Sequence, residues 1–376
     1  MKATLHRAAL HYGDGLVLHT AASGSVGALD ALYLRLADDA DDATDPAGAT
    51  VGIGETRLNI AYLNGLDADT VIVDARAALA AIDWRQDAGT LLAGAAAWLP
   101  GRLAPVRMLI DSALRDRLAR ERGTSVAAQF GAAADADATT SAPAWPTNQT
   151  LFWSSDAVLL ERAERYVARG FRDLKLRIGI GAFDDDLRRI DLLRERFGAT
   201  IALSADANGQ WQPADCAARF AALAARGLDY LEQPLAAGDW DALRRVAETS
   251  PLTLMLDESL QSPADVDALC ALAGYPLAAH LKLVKLGGIA ATVAAARQLQ
   301  QAGIALMIGQ MNEGAAATAA ALQACVAVAP RWAELYGADG LVDDPAHGLT
   351  YSDGTVRAAG PIGLGVGFDA AATHSL

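Results

Sequence analysis

From residue 147 onward, short apolar runs alternate with helical segments eight times, and no other feature limits the possible folds as tightly. The runs are TLFW, FRDLKLRI, TIALSADA, LDYLEQP, TLMLDES, AAHLKLVK, IALMIGQ and WAELYG. Each is nearly continuous in apolar character, as a strand is when both of its faces are covered. Strand and helix in alternation build a parallel sheet jacketed by helices, and eight units are the number that closes a (β/α)8 barrel. An open dinucleotide-binding sheet is the competing architecture. It needs a glycine-rich turn after the first strand, and TLFWSSDAVLLERA has no glycine.

The residues before this point follow another pattern. Segments 28–37 and 50–55 are strand-like, with an acidic turn expected over 38–49 between them. The stretch 105–122 repeats apolar residues at three and four and stops at Gly123, as a helix does. Strands followed by helices indicate an α+β unit. Segment 131–146 is small, polar and proline-bounded, and reads as a linker.

The 376 residues are 52% hydrophobic and 20% charged, enough to bury a large core in two units. A net charge of −14 repels a phosphate backbone, so no nucleic-acid partner is expected. Nor is a membrane partner, because no apolar run reaches the ~18 residues of a span. The beginning, MKATLHRAAL, lacks the apolar core of an export signal, so a soluble cytoplasmic protein is expected. Cys216, Cys270 and Cys325 are odd in number and widely spaced, which suits buried thiols in a reducing compartment.

Chemistry in a parallel barrel sits at the carboxyl ends of its strands. Asp206, Glu232, Asp257 and Lys282 end successive apolar runs, and Glu313 follows the next; the spacings are 26, 25, 25 and 31 residues. One βα unit per residue brings them round a common mouth. Three carboxylates converging there repel one another unless a cation lies among them, and all-oxygen ligation with open positions suits Mg2+. Lys175 and Arg177, two apart on the second strand, share a face and look across at Lys282. The chain has only four lysines, Lys2, Lys175, Lys282 and Lys285, among 31 basic residues. Lysine, unlike arginine, has a pKa that its surroundings can lower, and an amine near a second cation and a metal can accept a proton. Lys285, three residues from Lys282 on what reads as one strand, turns away from it. The implied step is removal of a proton next to a substrate carboxylate through an enediolate.

With VGIGET, DSALRD, LKLRIG, SADANGQW, LEQPL, LDES, LKLVKLGG, QMNEG and GPIGLGVGFD in order, the chain resembles the enolase superfamily, specifically its mandelate racemase and muconate lactonizing group. The resemblance implies a modified TIM barrel over residues 131–345, an α+β capping domain over 1–130, and a C-terminal segment, 346–376, that returns to the cap. It implies Asp206, Glu232 and Asp257 as Mg2+ ligands, Lys282 as a catalytic residue, Glu313 and Asn208 as substrate contacts, and a homo-oligomer. None of the six histidines ends the seventh strand, so the muconate lactonizing-like subgroup fits better than mandelate racemase proper. That subgroup carries Lys-x-Lys on the second strand. Here Arg177 replaces the second lysine, and a permanently charged guanidinium is a poor base. Lys282, or a repositioned Lys175, is then the proton carrier, with Arg177 holding a carboxylate. The expected outcome is cycloisomerisation or epimerisation of a small carboxylic acid. Dehydration of a hydroxy or sugar acid, or metal binding without catalysis, are the alternatives. Specificity is expected from the cap segments 19–29 and 55–65, with Arg57 or Tyr62 at the distal end of the substrate. Trp211 is either a core aromatic or a wall of the site.

Overall fold

The computed structural model describes residues 1–13, 15–20, 23–38, 50–132 and 141–376. Residues 39–49 of the expected turn, 133–140 of the expected linker and 21–22 of the glycine-rich cap segment lie outside the described residues.

The cap is built on an antiparallel sheet of β1 (Lys2–Leu10), β2 (Leu29–Ala37) and β3 (Gly52–Arg57), with His374–Ser375 adding a fourth strand beside β1. Strand β1 has no clean polar alternation, so spacing alone does not reveal it. Strand β2 pairs with it from Lys2↔Ala37 to Leu10↔Leu29. Leu32, Leu34 and Leu36 pack on the cap's own helices, α1 (Ala68–Ala81) and α2 (Ala104–Arg122), while Ala31 and Tyr33 face the barrel core. Sandwiched in this way, every residue of β2 but Asp30 is buried. Helix α2 has Pro105 in its first turn, where no amide partner is lost, and ends on Gly123 at φ 62°.

The motifs VGIG and DSALRD are two halves of one contact. A Cβ on Gly52 or Gly54 would collide with the Ala113 or Leu109 carbonyl of α2, so only glycine lets β3 lie against the helix backbone. From the same helix, Asp116 accepts hydrogen bonds from Ile53 N (3.0 Å) and Leu364 N (2.7 Å), tying β3 to the GPIGLG segment. Asp111 accepts from Ile289 N (2.7 Å) and Ala290 N (3.2 Å), capping the barrel helix Ile289–Gln301.

All eight expected runs overlap a barrel strand: β4 (Gln149–Leu151), β5 (Asp173–Arg177), β6 (Ala202–Asp206), β7 (Tyr230–Glu232), β8 (Thr253–Leu256), β9 (Leu277–Lys282), β10 (Ala305–Gly309) and β11 (Trp332–Glu334). Each pairs in parallel with the next. The ring is drawn together where Asn148 N donates to Ala333 O (3.1 Å) and Leu335 N donates to Thr147 Oγ1 (2.8 Å). One run differs from expectation, because β9 stops at Lys282 and Leu283–Leu286 form a single helical turn. A hairpin of Leu349–Ser352 and Thr355–Ala358 pairs with Ala144–Pro146. Among the described residues, no helix is long and apolar enough to cross a membrane.

Candidate active site

Strand periodicity sets the interior of the barrel in layers. Tyr230, Met255, Ala278, Met307 and Trp332 form an apolar cluster inside the ring. Two residues further along the same strands stand Glu232, Asp257, His280, Gly309 and Glu334, which by the two-residue repeat face the same way. An apolar floor is thus followed by an ionisable layer, to which β5 adds Lys175. A further step of two reaches Lys282 and Met311 beside a pocket also lined by Arg177, Asn208, Asp257, Glu258, Gln310, Asn312 and, from the cap, Tyr62 and Leu63.

Within the ionisable layer every charge has a partner. Lys175 Nζ donates to Glu232 Oε2 (2.8 Å), pairs with Glu334, and lies 3.9 Å from Asp206 Oδ2. His280 Nδ1 meets Glu232 Oε1 at 3.0 Å. Asp257 is bracketed: Lys282 Nζ donates to Oδ2 at 2.5 Å and Lys285 Nζ to Oδ1 at 2.5 Å. Asp206 pairs with Arg177 and accepts from Asn208 N at 2.8 Å.

These pairings decide the protonation states. Burial works against the charge on Asp257, but Lys282, Lys285 and His280 outweigh it and hold the carboxyl well below its ordinary range. Glu232 is likewise lowered, with Lys175 and His280 overcoming burial. Burial pulls Lys282 down, yet the charges of Asp257, Glu334 and Glu232 prevail and raise it, contrary to the lowered amine expected from neighbouring cations. A dication on Asp257 would remove its largest raising influence. Lys285 is lowered, chiefly by burial. Burial and the charge of Asp257 raise Glu258, whose Oε2 is buried without a hydrogen-bond partner.

Several expectations take a different form. Lys175 does not line the pocket; it is fully buried and fastened to two glutamates. Lys285 does not turn away, because the chain leaves the strand after Lys282 and a helical turn swings residue i+3 back toward the same carboxylate. Glu313, expected at the substrate, is 1% exposed and absent from the pocket lining; its Oε2 accepts from Met311 N (3.1 Å) within the loop. Arg57 is buried under the pocket wall rather than in it, whereas Tyr62 does line it. Trp211 is a core aromatic, 3% exposed and edge-on to Phe183. Asn208 stands at the mouth with φ 45°, its Nδ2 donating to Glu258 Oε1 at 3.2 Å.

Three ionisable residues of the site are absent from the sequence-based set. Glu334 ends the eighth run as Glu232 ends the fourth, so the rule that finds the others also finds it. His280 lies two before Lys282 and therefore on its face. Glu258 adjoins Asp257 in LDES. A metal is compatible with this donor chemistry: Glu232, Asp257 and His280 can place ligand atoms within 4.8 Å of one another, and Asp206 lies opposite Glu232 in the β6–β7 register.

Residues 158–372 match the family model described as "Enolase C-terminal domain-like". The N-succinyl-L-Arg/Lys racemase of Bacillus cereus is 30% identical over 177 residues, 47% of each chain. The chloromuconate cycloisomerase of Pseudomonas putida is 33% identical over 223 residues, 57% of each chain. These matches span about half the length of each relative. The solved dipeptide epimerase of Methylococcus capsulatus, complexed with Mg and the dipeptide L-Arg-D-Lys, superposes with a TM-score of 0.81 at 25% identity, covering 98% of this chain and 99% of that one.

Proposed function

The chain belongs to the enolase C-terminal domain-like family of the enolase superfamily, and from that premise we propose an Mg2+-dependent isomerase that removes the α-proton of a small carboxylic acid. Epimerisation is completed when a proton returns to the α-carbon; in a cycloisomerisation a carboxylate of the substrate adds across its own double bond to give the same enediolate, and the proton then moves in the opposite sense, from Lys282 Nζ to the α-carbon. The observation that carries this is the pocket itself, with Lys282 in its wall and Asp257 beside it.

Asp206, Glu232 and Asp257 would hold the metal, each from the end of an adjacent strand or just beyond it. When bound, Mg2+ supplies positive charge for the negative charge that gathers on the substrate carboxylate as its α-proton leaves. Lys282 Nζ takes that proton. Arg177 comes from β5 and Lys282 from β9, four strands apart on a ring of eight, so the two reach a substrate from opposite sides. A guanidinium cannot accept the proton on its side, and it serves instead to hold an anionic end. Asn208 adds an amide at the mouth, and Lys175 keeps Glu232 oriented from below.

With one base in the pocket, cycloisomerisation is favoured over an outcome needing proton carriers on both faces. The same observation supports a second reading, β-elimination from a hydroxy acid, which also requires only one base and a leaving group. A cytoplasmic homo-oligomer acting on a small molecule is part of the proposal. The test is incubation with Mg2+ in D2O of a panel containing cis,cis-muconate, hydroxy acids, dipeptides and N-succinyl amino acids, followed by proton NMR. Cyclised product or chelator-sensitive α-proton exchange is expected; dehydrated product selects the second reading, and silence across the panel with unchanged melting in Mg2+ would falsify the proposal.

A further inference from the structure

We propose that Arg57, on the cap strand β3, is a positioning residue for Lys282, acting through Met311. The inference rests on the reading that Lys282 carries the proton. Arg57 is 2% exposed, and the hydrogen bonds of its guanidinium all go to uncharged oxygens, while its backbone N–H donates to the Glu313 carboxylate. Nη1 donates to Met311 O at 2.5 Å and to Asn312 O at 3.4 Å, and Nε donates to Asn59 Oδ1 at 2.8 Å. Burying a guanidinium without a directly paired carboxylate is costly, and the return lies in what those carbonyls belong to.

They belong to the loop after β10, whose Gln310, Met311 and Asn312 form one wall of the pocket. Met311 Sδ lies 3.4 Å from Lys282 Nζ. The amine is therefore placed between Asp257 Oδ2 on one side and a thioether on the other. Asn312 adopts φ 55°, a left-handed conformation that persists only when its surroundings hold it. Arg57 grips the carbonyls at the start of this bend. Glu55, two residues earlier and so on the same face of β3, accepts from Gly314 N (2.6 Å) and Ala317 N (2.9 Å) at its end. One cap strand thus clamps both ends of the loop that sets Met311 against the amine.

The scarcity of lysine makes this measurable without a substrate. Protein grown with lysine labelled with 13C at Cε gives four side-chain signals, assigned by single Lys→Arg variants. At one fixed pH, Arg57→Met and Met311→Leu should each displace or split the Lys282 signal and leave Lys175 in place, with Arg57→Lys restoring part of the original position. If the Lys282 signal stays unmoved in both while melting temperature falls, Arg57 is a brace between cap and barrel and the proposal is overturned. Should Arg57→Met fail to fold, Met311→Leu and Arg57→Lys decide. The Lys282 signal can be read even in a protein that exchanges no α-proton, so the two ideas fail separately.

Discussion

At the residue scale, the site asks different things of its cations. Lys282 alone combines an amine with a place in the pocket wall, so Lys282→Ala should lower kcat by about 10²–10⁴-fold, the usual worth of a positioned acid or base, on whichever substrate the panel identifies. Little change in the melting curve is expected, because Lys285 still pairs with Asp257. Arg177→Lys puts a titratable amine on the opposite side of the pocket. Solvent deuterium should then enter with inversion as well as retention, read by chiral separation of recovered substrate; exchange confined to one face would argue against the assignment of the two sides. His280 holds Glu232 from behind, and His280→Ala should weaken Mg2+ binding by about 10–100-fold in calorimetry, as loss of an orienting partner generally does. The sequence discloses these groups unevenly. Asp206, Glu232, Asp257 and Lys282 are legible because each ends an apolar run. The direction of Lys285 is not, because nothing in LKLVK marks the change from strand to helix, and with it the turn of the third side chain. Glu313 is not legible either, because a carboxylate in a loop and one in a pocket look alike until the fold shows which way the loop bends.

At the scale of elements, the close approach of β3 to α2 depends on two glycines whose reason spacing cannot reveal. Gly54→Ala forces a methyl group into the Leu109 carbonyl, and a loss of about 1–3 kcal/mol is expected from denaturant titration, in line with overpacking elsewhere. Asp111→Ala removes the acceptor for two amides at the start of Ile289–Gln301, and a loss of about 1–2 kcal/mol should follow. The barrel strands are legible for a simple reason: strands covered on both faces must be apolar throughout, and the helices between them must repeat at three and four. Strand β1 is not, since Thr4, His6 and Arg7 interrupt its apolar run, and its partners lie at Leu29–Ala37 and at His374–Ser375, far away in sequence.

For the molecule as a whole, buried and half-buried carboxyls pull the pH dependence of stability in two directions. Burial raises Asp344 to about 6, and burial together with the charge of Asp229 raises Asp173 to about 7. Both groups oppose folding while ionised in the native state, so stability should increase as pH falls through these values. Glu232 and Asp257 are lowered instead; their contribution is complete at neutral pH and is lost below about pH 4, where the unfolded carboxyls have already taken up protons. Melting temperature in metal-free buffer should therefore rise from pH 8 to about 5 and then fall; a steady decline from pH 8 downward would contradict the half-buried placement of Asp173 and Asp344. The pocket has a different division. Its acids and amines come from the barrel, while Tyr62 and Leu63 come from the cap, and Tyr62 also borders a second hollow formed with Ser23, Ser25, Val26 and Leu66. What the protein accepts can thus diverge without disturbing how it reacts. A library made to evolve new selectivity should randomise 23–28 and 58–66 and leave the six codons of β3 untouched.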